Sequence, residues 1–255
     1  MHFDHKQALS IKNGQPGIFV YFNFKFDEVH IVSGFATGTI KVWAIANGEW
    51  TRTLIGHQKE VGILSLFGSK LASGAEDQTI RVWDIETSQC LHLFEGHTGA
   101  ICALQLSKTH VVSGSTDSTV KMWSLESDSC IRTLHGHNGT VFCLQFDSRF
   151  LCTGSSDSTV IVWDFETGKK LKTLKGHHHA VVCLQFDGLK LVTGSADKTI
   201  KVWDLKTGYC LYSLLQHTGS IWNLTFNASQ IISSSFDTSV LVWDFGCQNN
   251  NIQVN

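Results

Sequence analysis

Residues 136–164 read GHNGTVFCLQFDSRFLCTGSSDSTVIVWD, and this stretch decides the fold. A Gly-His pair, an apolar run, a run of small residues, an Asp-centred turn and a closing Trp-Asp form one supersecondary unit. Such a unit cannot bury its own apolar faces and needs neighbours of its own kind. They are present. Trp stands at 43, 83, 123, 163, 203 and 243, a spacing of 40, and His at 57, 97, 137, 177 and 217 keeps the same spacing.

Six copies fill nearly all of the 255 residues, so the expected domain is a single repeat array over 16–245, flanked by 1–15 and 246–255. A hydrophobic content of 42%, with 16 Phe and 8 Trp, is ample for a packed interior. The 20 basic and 22 acidic residues are scattered without a run of either sign, giving a net charge of −2. That balance predicts no nucleic-acid partner. The longest apolar run near the start, Gly17 to Phe22, is far below the ~20 residues a membrane helix needs, so no membrane partner is expected. Cys90, Cys130 and Cys210 share one repeat phase and Cys143 and Cys183 another. This favours buried thiols in a reducing compartment, the cytoplasm or the nucleus, over a disulfide framework.

Within each repeat the pattern is strand-like throughout. VGILSLF, ICALQL, VFCLQF, VVCLQF and IWNLTF are first strands, apolar on both pleat faces, as expected when adjacent sheets cover both sides. KLASGA, HVVSGS, FLCTGS, KLVTGS and QIISSS are second strands, and runs such as TIRVW and TVIVW are third strands. CLHLFEG and CIRTLHG exemplify fourth strands. The expected architecture is all-β, with six four-stranded antiparallel sheets arranged radially. The first repeat is degenerate: IFVYFNFKF is its Phe-rich strand, but Gly17 replaces His and Thr37 replaces Asp, making it the softest unit. The ring-closing strand comes either from QALSIK near the N-terminus or from the tail carrying Ile252 and Val254. The N-terminal choice is favoured because an unclosed ring leaves exposed sheet edges.

Ser or Thr, His and Asp recur with Trp as His57/Ser73/Asp77/Trp83, His97/Ser113/Asp117/Trp123, His137/Thr153/Asp157/Trp163, His177/Thr193/Asp197/Trp203 and His217/Ser233/Asp237/Trp243. A hydrolase needs one such set beside an oxyanion hole and a cleft. Five interchangeable sets in register instead predict a structural lock of buried groups: Asp accepts from one imidazole nitrogen, a hydroxyl meets the other, and the indole N–H donates to that hydroxyl. No catalytic residue, metal, cofactor or small-molecule substrate is expected. His177-His178-His179 reads as a solvated turn, because adjacent loop residues seldom converge on one ion.

The phrases GSSDSTVIVWDFETGKKLKTLKGH and GSADKTIKVWDLKTGYCLYSLLQH resemble the repeats of WD-repeat β-propellers. Within that family, CLQFD, VVSGSTDSTVK and TGSSDSTV are most similar to F-box/WD-repeat proteins, the substrate receptors of cullin-RING ubiquitin ligases. The resemblance implies a non-enzymatic scaffold that docks a partner segment on one face, either as substrate-recognition part of such a ligase or as a general assembly scaffold in signalling or trafficking. Receptors that read phosphorylated segments place Arg five residues after the repeat His or just before the turn Asp. Here those positions hold Phe22, Gly62, Cys102, Phe142, Val182 and Trp222, and Ala36, Glu76, Thr116, Ser156, Ala196 and Phe236. With no Arg there, a phosphopeptide is disfavoured. Phe22, Phe142, Trp222 and Phe236, with Glu60 and Glu76 as the nearby charges, are the expected partner-binding residues. Their ligand is expected to be an apolar or aromatic protein or peptide segment with a basic residue beside it.

Overall fold

The computed structural model describes residues 24–246, and these are all strand, turn and loop, without a helix. The first sheet holds β1 (Phe24–Phe26), β2 (His30–Gly34), β3 (Ile40–Ala44) and β4 (Trp50–Leu54). The second holds β5 (Val61–Phe67), β6 (Lys70–Ala75), β7 (Ile80–Asp84) and β8 (Cys90–Phe94). The third holds β9 (Ile101–Leu106), β10 (His110–Ser115), β11 (Val120–Ser124) and β12 (Ser129–Leu134). The fourth holds β13 (Val141–Phe146), β14 (Phe150–Ser155), β15 (Val160–Asp164) and β16 (Lys170–Leu174). The fifth holds β17 (Val181–Phe186), β18 (Lys190–Ser195), β19 (Ile200–Asp204) and β20 (Cys210–Leu214). The sixth has three strands among the described residues, β21 (Ile221–Phe226), β22 (Gln230–Ser235) and β23 (Val240–Asp244), where four were expected. Both candidate closing segments, QALSIK and the tail with Ile252 and Val254, lie outside the described residues, as do Gly17 and Phe22.

Each sheet is an antiparallel meander whose register follows from its turns. In the fourth sheet Leu151 pairs with Trp163 and Thr153 with Ile161, placing the Thr153 hydroxyl one pleat from the indole. The turn between second and third strands needs one residue in the left-handed region, and Gln78, Ser158, Lys198 and Thr238 supply it with φ of 71°, 64°, 73° and 67°. The first repeat uses Gly38 there (φ 80°), where a Cβ would lie 2.4 Å from the His57 carbonyl oxygen.

The chain divides into two units, residues up to 111 with 123–129, and residues 112–122 with 130 onward. Inside the first unit, Val32, Ile40, Val42 and Leu54 of one sheet pack with Val61, Leu64, Leu71 and Trp83 of the next. Ala72, Ile80, Val82 and Phe94 pack in the same way with Ile101, Leu104, Val111 and Trp123. Inside the second unit, Cys152, Val160, Val162 and Leu174 meet Val181, Phe186, Leu191 and Trp203. Val192, Ile200 and Val202 meet Ile221, Leu224, Phe226 and Ile231. Each of the first five sheets thus offers a trailing set from its second to fourth strands to the leading set of the next, which is why strands such as β15 are apolar on both faces. Close approach requires glycine at the end of the second strand. A Cβ on Gly154 would lie 2.7 Å from Val181 Cγ1, and one on Gly194 2.6 Å from Ile221 Cγ2.

The thiols correct one expectation. Cys90, Cys130 and Cys210 are exposed, because they sit on fourth strands whose other residues are also largely open. Cys152 and Cys183 are buried and Cys143 half-buried, and burial pushes the Cys183 thiol up to about 12. All seven described cysteines are free thiols. No described helix is long and apolar enough to cross a membrane.

Candidate functional site

The recurring polar sets are built alike. In the fourth sheet His137 Nδ1 lies 3.0 Å from Asp157 Oδ2, Nε2 lies 2.8 Å from Thr153 Oγ1, and Trp163 Nε1 donates to that hydroxyl at 2.9 Å. The corresponding distances are 3.0, 2.8 and 2.8 Å around Ser73 and 2.8, 2.8 and 2.8 Å around Thr193. Around Ser233, with Trp243 as the indole donor, they are 2.9, 2.8 and 3.0 Å. In the third repeat His97 and Trp123 lie edge-on with ring centroids 6.0 Å apart, Ser113 is fully buried, and Asp117 accepts from the backbone N–H and hydroxyl of Thr119.

The turn Asp is half-buried in every set, and the last set differs from the others in the cover of its indole. Trp83, Trp123, Trp163 and Trp203 are each 2% exposed, but Trp243 is only half-buried. Its hydrogen bond to Ser233 forms as expected, and His217 meets the ring edge-on at 6.3 Å, so the lock is made without being covered. The physical reason is the edge position of β23. Trp163 pairs with Lys170 and Trp203 with Cys210 on a fourth strand, whereas β23 has no such neighbour among the described residues.

Donor arithmetic constrains the fourth-sheet set. A carboxylate only accepts, so Nδ1 carries a proton. The Thr153 hydroxyl accepts the indole N–H, and its own hydrogen goes to Nε2 when the ring is neutral or to the Ile161 carbonyl, 3.4 Å away, when it is charged. Burial favours the neutral ring. Burial pushes the His57 and His137 pKa values down, and the pull of Asp77 and Asp157 only partly offsets it. For Asp77 and Asp157 burial acts upward but is outweighed. Backbone N–H groups of Gln58 and Asn138, hydroxyls of Thr79 and Thr159, and the histidines hold both carboxyls below the ordinary range. Asp197 is likewise lowered against the effect of burial, chiefly by His177 and Thr199; Asp237 is lowered foremost by the Ser239 hydroxyl.

Those hydroxyls are a fifth member that the sequence reading overlooked. Thr79, Thr119, Thr159, Thr199 and Ser239 each stand two residues after the turn Asp and bond its Oδ1. The signal was an Asp-x-Thr/Ser repeat in the same 40-residue phase. As chemistry the sets are closed: Ser73, Thr153 and Thr193 have no exposed surface, and each hydroxyl is already taken up by imidazole, indole and a backbone carbonyl. His177 is held by Asp197 and Thr193 within such a set rather than turned toward its His neighbours.

The expected partner-binding residues occupy a repeated piece of geometry. First and second strands pair with a one-residue bulge at Gly62, Phe142, Val182 and Trp222, the register slipping between Val61 and Ile63 and between Ile221 and Asn223, for example. A bulge re-aims the extra side chain out of the ladder. One backbone bond then ties the residue two before the bulge to the residue before the turn Asp. It runs from Glu76 N to Glu60 O, from Ser156 N to Thr140 O and from Phe236 N to Ser220 O, each at 2.9 Å. In the last repeat this brings Trp222 and Phe236 together, edge to face, with centroids 5.0 Å apart and an interplanar angle of 90°. Both are open to solvent, Trp222 at 58% and Phe236 at 66%. Phe142, on the equivalent bulge of the fourth sheet, is 39% exposed. In the first unit Glu60 is half-buried and Glu76 exposed, joined through their backbones.

Comparison with known proteins agrees with this geometry. The chain is similar in structure to a computationally designed protein, Ika8, solved as a crystal structure in packing No. 1 in P63. The two are 40% identical with a TM-score of 0.82, over 92% of this chain and 74% of that one. No curated protein matches the chain. The family model "WD domain, G-beta repeat" matches five times in succession, at 48–84, 88–124, 128–164, 168–204 and 208–244. Each match ends on a Trp followed by Asp or Ser, the Trp closing its hydrogen-bonded set, and the chain belongs to the family of WD40-repeat proteins.

Proposed function

We propose that this WD40-repeat chain is a non-enzymatic interaction scaffold that docks an apolar or aromatic segment of a protein partner on Trp222 and Phe236, with Phe142 as a further contact. One observation carries the reading: two large aromatic rings stand exposed in an edge-to-face pair, Trp222 on the bulge and Phe236 in the turn before Asp237, where the inter-sheet core does not need them. Rings already fixed in place lose little rotamer freedom on binding, and covering each contributes roughly 1.5–3 kcal/mol. In the first unit the same backbone geometry carries carboxylates instead of rings, Glu76 at the repeat position of Phe236 and Glu60 at that of Ser220.

The scaffold assembles a complex by holding a partner's segment rather than by turning it over, and it acts in a reducing compartment where its free thiols persist. Its narrower form, substrate recognition for a cullin-RING ubiquitin ligase, draws support from the CLQFD and TGSSDSTV phrases. The test is a peptide-display selection on the intact chain, followed by calorimetry of the selected peptides. Trp222→Ala with Phe236→Ala is expected to weaken binding by about 100-fold while leaving the unfolding midpoint in place. Selected peptides that lack an aromatic or apolar anchor, or that bind the double variant as well as the parent, refute this reading.

A further inference from the structure

A cavity of about 300 Å³ lies between the trailing set of the fifth sheet and the leading set of the sixth. Val192 and Val202 line it on one side and Phe226 and Ile231 on the other, so it sits at the far end of β21 from Trp222. Lys190 and Tyr212 complete the fifth-sheet side, with the Lys190 ammonium 5.5 Å from the centre of the Phe226 ring. Both sheets belong to the second unit, and this is the side on which they face each other.

The preceding junction shows why this one is open. One repeat earlier Phe150 stands where Lys190 does, and it packs into the core between the fourth and fifth sheets. Lys172 stands where Tyr212 does. Its ammonium crosses to the carbonyl oxygens of Leu205 and Lys206, and Leu205 is buried. Arg132 makes the same crossing one sheet before that, to the Thr167 carbonyl at 3.2 Å. In the fifth sheet the two chemistries have changed places: the cation is on the wall, and the ring is at the crossing position. Tyr212 has no ammonium to send across and tilts against Phe245 instead, with ring centroids 6.0 Å apart.

We infer that this cavity binds a small amphipathic carboxylic acid, with its aliphatic or aromatic body between the two sheets and its carboxylate on the Lys190 ammonium. Lys190 is the charged residue of the lining, and its cross-strand neighbour Asp204 is held by the N–H and hydroxyl of Thr207. Small-molecule sites combine mostly apolar walls with a few convergent polar groups that set orientation. A charge-assisted hydrogen bond to a carboxylate is about twice as strong as a neutral one, so the cation selects an acid over its amide.

Amide NMR of the intact chain, titrated with 3-phenylpropionate and separately with 3-phenylpropionamide, tests this. Saturating shifts are expected at Val192, Val202 and Phe226, with a Kd of about 1 mM or below for the acid and binding about tenfold weaker for the amide. Lys190→Met keeps the length of the side chain without its charge and should erase the preference for the acid. Tyr212→Lys restores the crossing that Lys172 makes and should weaken both ligands by at least about tenfold. The same spectra show whether each variant is folded. The inference is overturned by the absence of saturable shifts up to about 10 mM, by an amide that binds as well as the acid, by a folded Lys190→Met chain that keeps the preference, or by a folded Tyr212→Lys chain that binds as the parent does. Binding by a chain ending at Gly246 but not by the intact one also overturns it, since residues 247–255 are then the occupant.

Discussion

Replacing Asp157 with alanine tests whether the recurring polar sets hold the sheets together. Asp157 accepts from His137 Nδ1 at 3.0 Å, from the backbone N–H of Asn138 and of Thr159 at 2.9 Å each, and from the Thr159 hydroxyl at 2.7 Å. Asn138 is exposed and recovers a water partner, so its bond is largely replaced. His137 does not, because its side chain has no exposed surface and the acceptor that remains, the Thr159 hydroxyl, is 3.4 Å from Nδ1. A buried donor left unpaired costs about 1–3 kcal/mol, and bonds to a charged acceptor are worth about 1.5–3 kcal/mol, so the variant should lose roughly 2–4 kcal/mol. For a chain of this size that corresponds to a fall of roughly 5–15 °C in melting temperature. Urea unfolding followed by tryptophan fluorescence reads the loss directly. Asp157→Asn, which keeps an acceptor oxygen but not the charge, should lose about half as much. Asp187→Ala is the control: it removes only exposed loop bonds to the N–H groups of Leu189 and Lys190 and should shift stability by less than about 1 kcal/mol. The reasoning fails if Asp157→Ala unfolds at the wild-type midpoint. It fails equally if a double-mutant cycle with His137→Ala gives a coupling below about 0.5 kcal/mol.

Three further outcomes are expected. His137 and Asp157 both titrate below their ordinary values of about 6.5 and 3.9, so between each folded value and the ordinary one the unfolded chain binds more protons. Stability is then full above about pH 6.5 and falls as pH drops through those windows, so a urea midpoint no lower at about pH 5 than at about pH 7.5 contradicts the neutral-imidazole lock. Gly154→Ala forces a Cβ to 2.6 Å from Cys143 Sγ and 2.7 Å from Val181 Cγ1 and should cost about 1–3 kcal/mol. Gly62→Ala, whose Cβ meets nothing nearer than 4.0 Å, should be close to neutral by the same unfolding assay. Lys198 sits at φ 73° without the tolerance of Asn or Gly, so Lys198→Asn should stabilise by about 0.5–1 kcal/mol, read as a higher melting temperature.

What the sequence revealed and what it hid divide along a physical line. Trp163, His137, Thr153 and Asp157 could be placed together from spacing because their donors and acceptors must pair somewhere buried, and one arrangement satisfies all of them. Thr159 belonged to the same deduction and was readable from Asp-x-Thr. Trp243 marks the limit of that deduction: spacing told which hydroxyl its indole meets, but its cover depends on a neighbouring strand rather than on its own repeat. The bulge was not legible at all. Gly62, Phe142, Val182 and Trp222 share it with no common chemistry, since an extra residue in a ladder is a property of register and not of the side chain that happens to occupy it. The same holds for the left-handed turn position, where Gln78, Ser158 and Lys198 adopt a conformation that their side chains do not announce. Repetition misled at Cys90, Cys130 and Cys210, because a shared phase establishes a shared environment without saying whether that environment is core or solvent. The Trp222 and Phe236 pair shows both sides at once. Phase alone marked each as a position where related proteins make contacts, yet their 5.0 Å approach depends on the bulge and on the Phe236 N to Ser220 O bond. In a repeat fold the positions where side-chain identity departs from the repeat while the backbone keeps to it are the ones free to differ, which is why the proposed docking rests on the exposed rings at 222 and 236 rather than on the five polar sets.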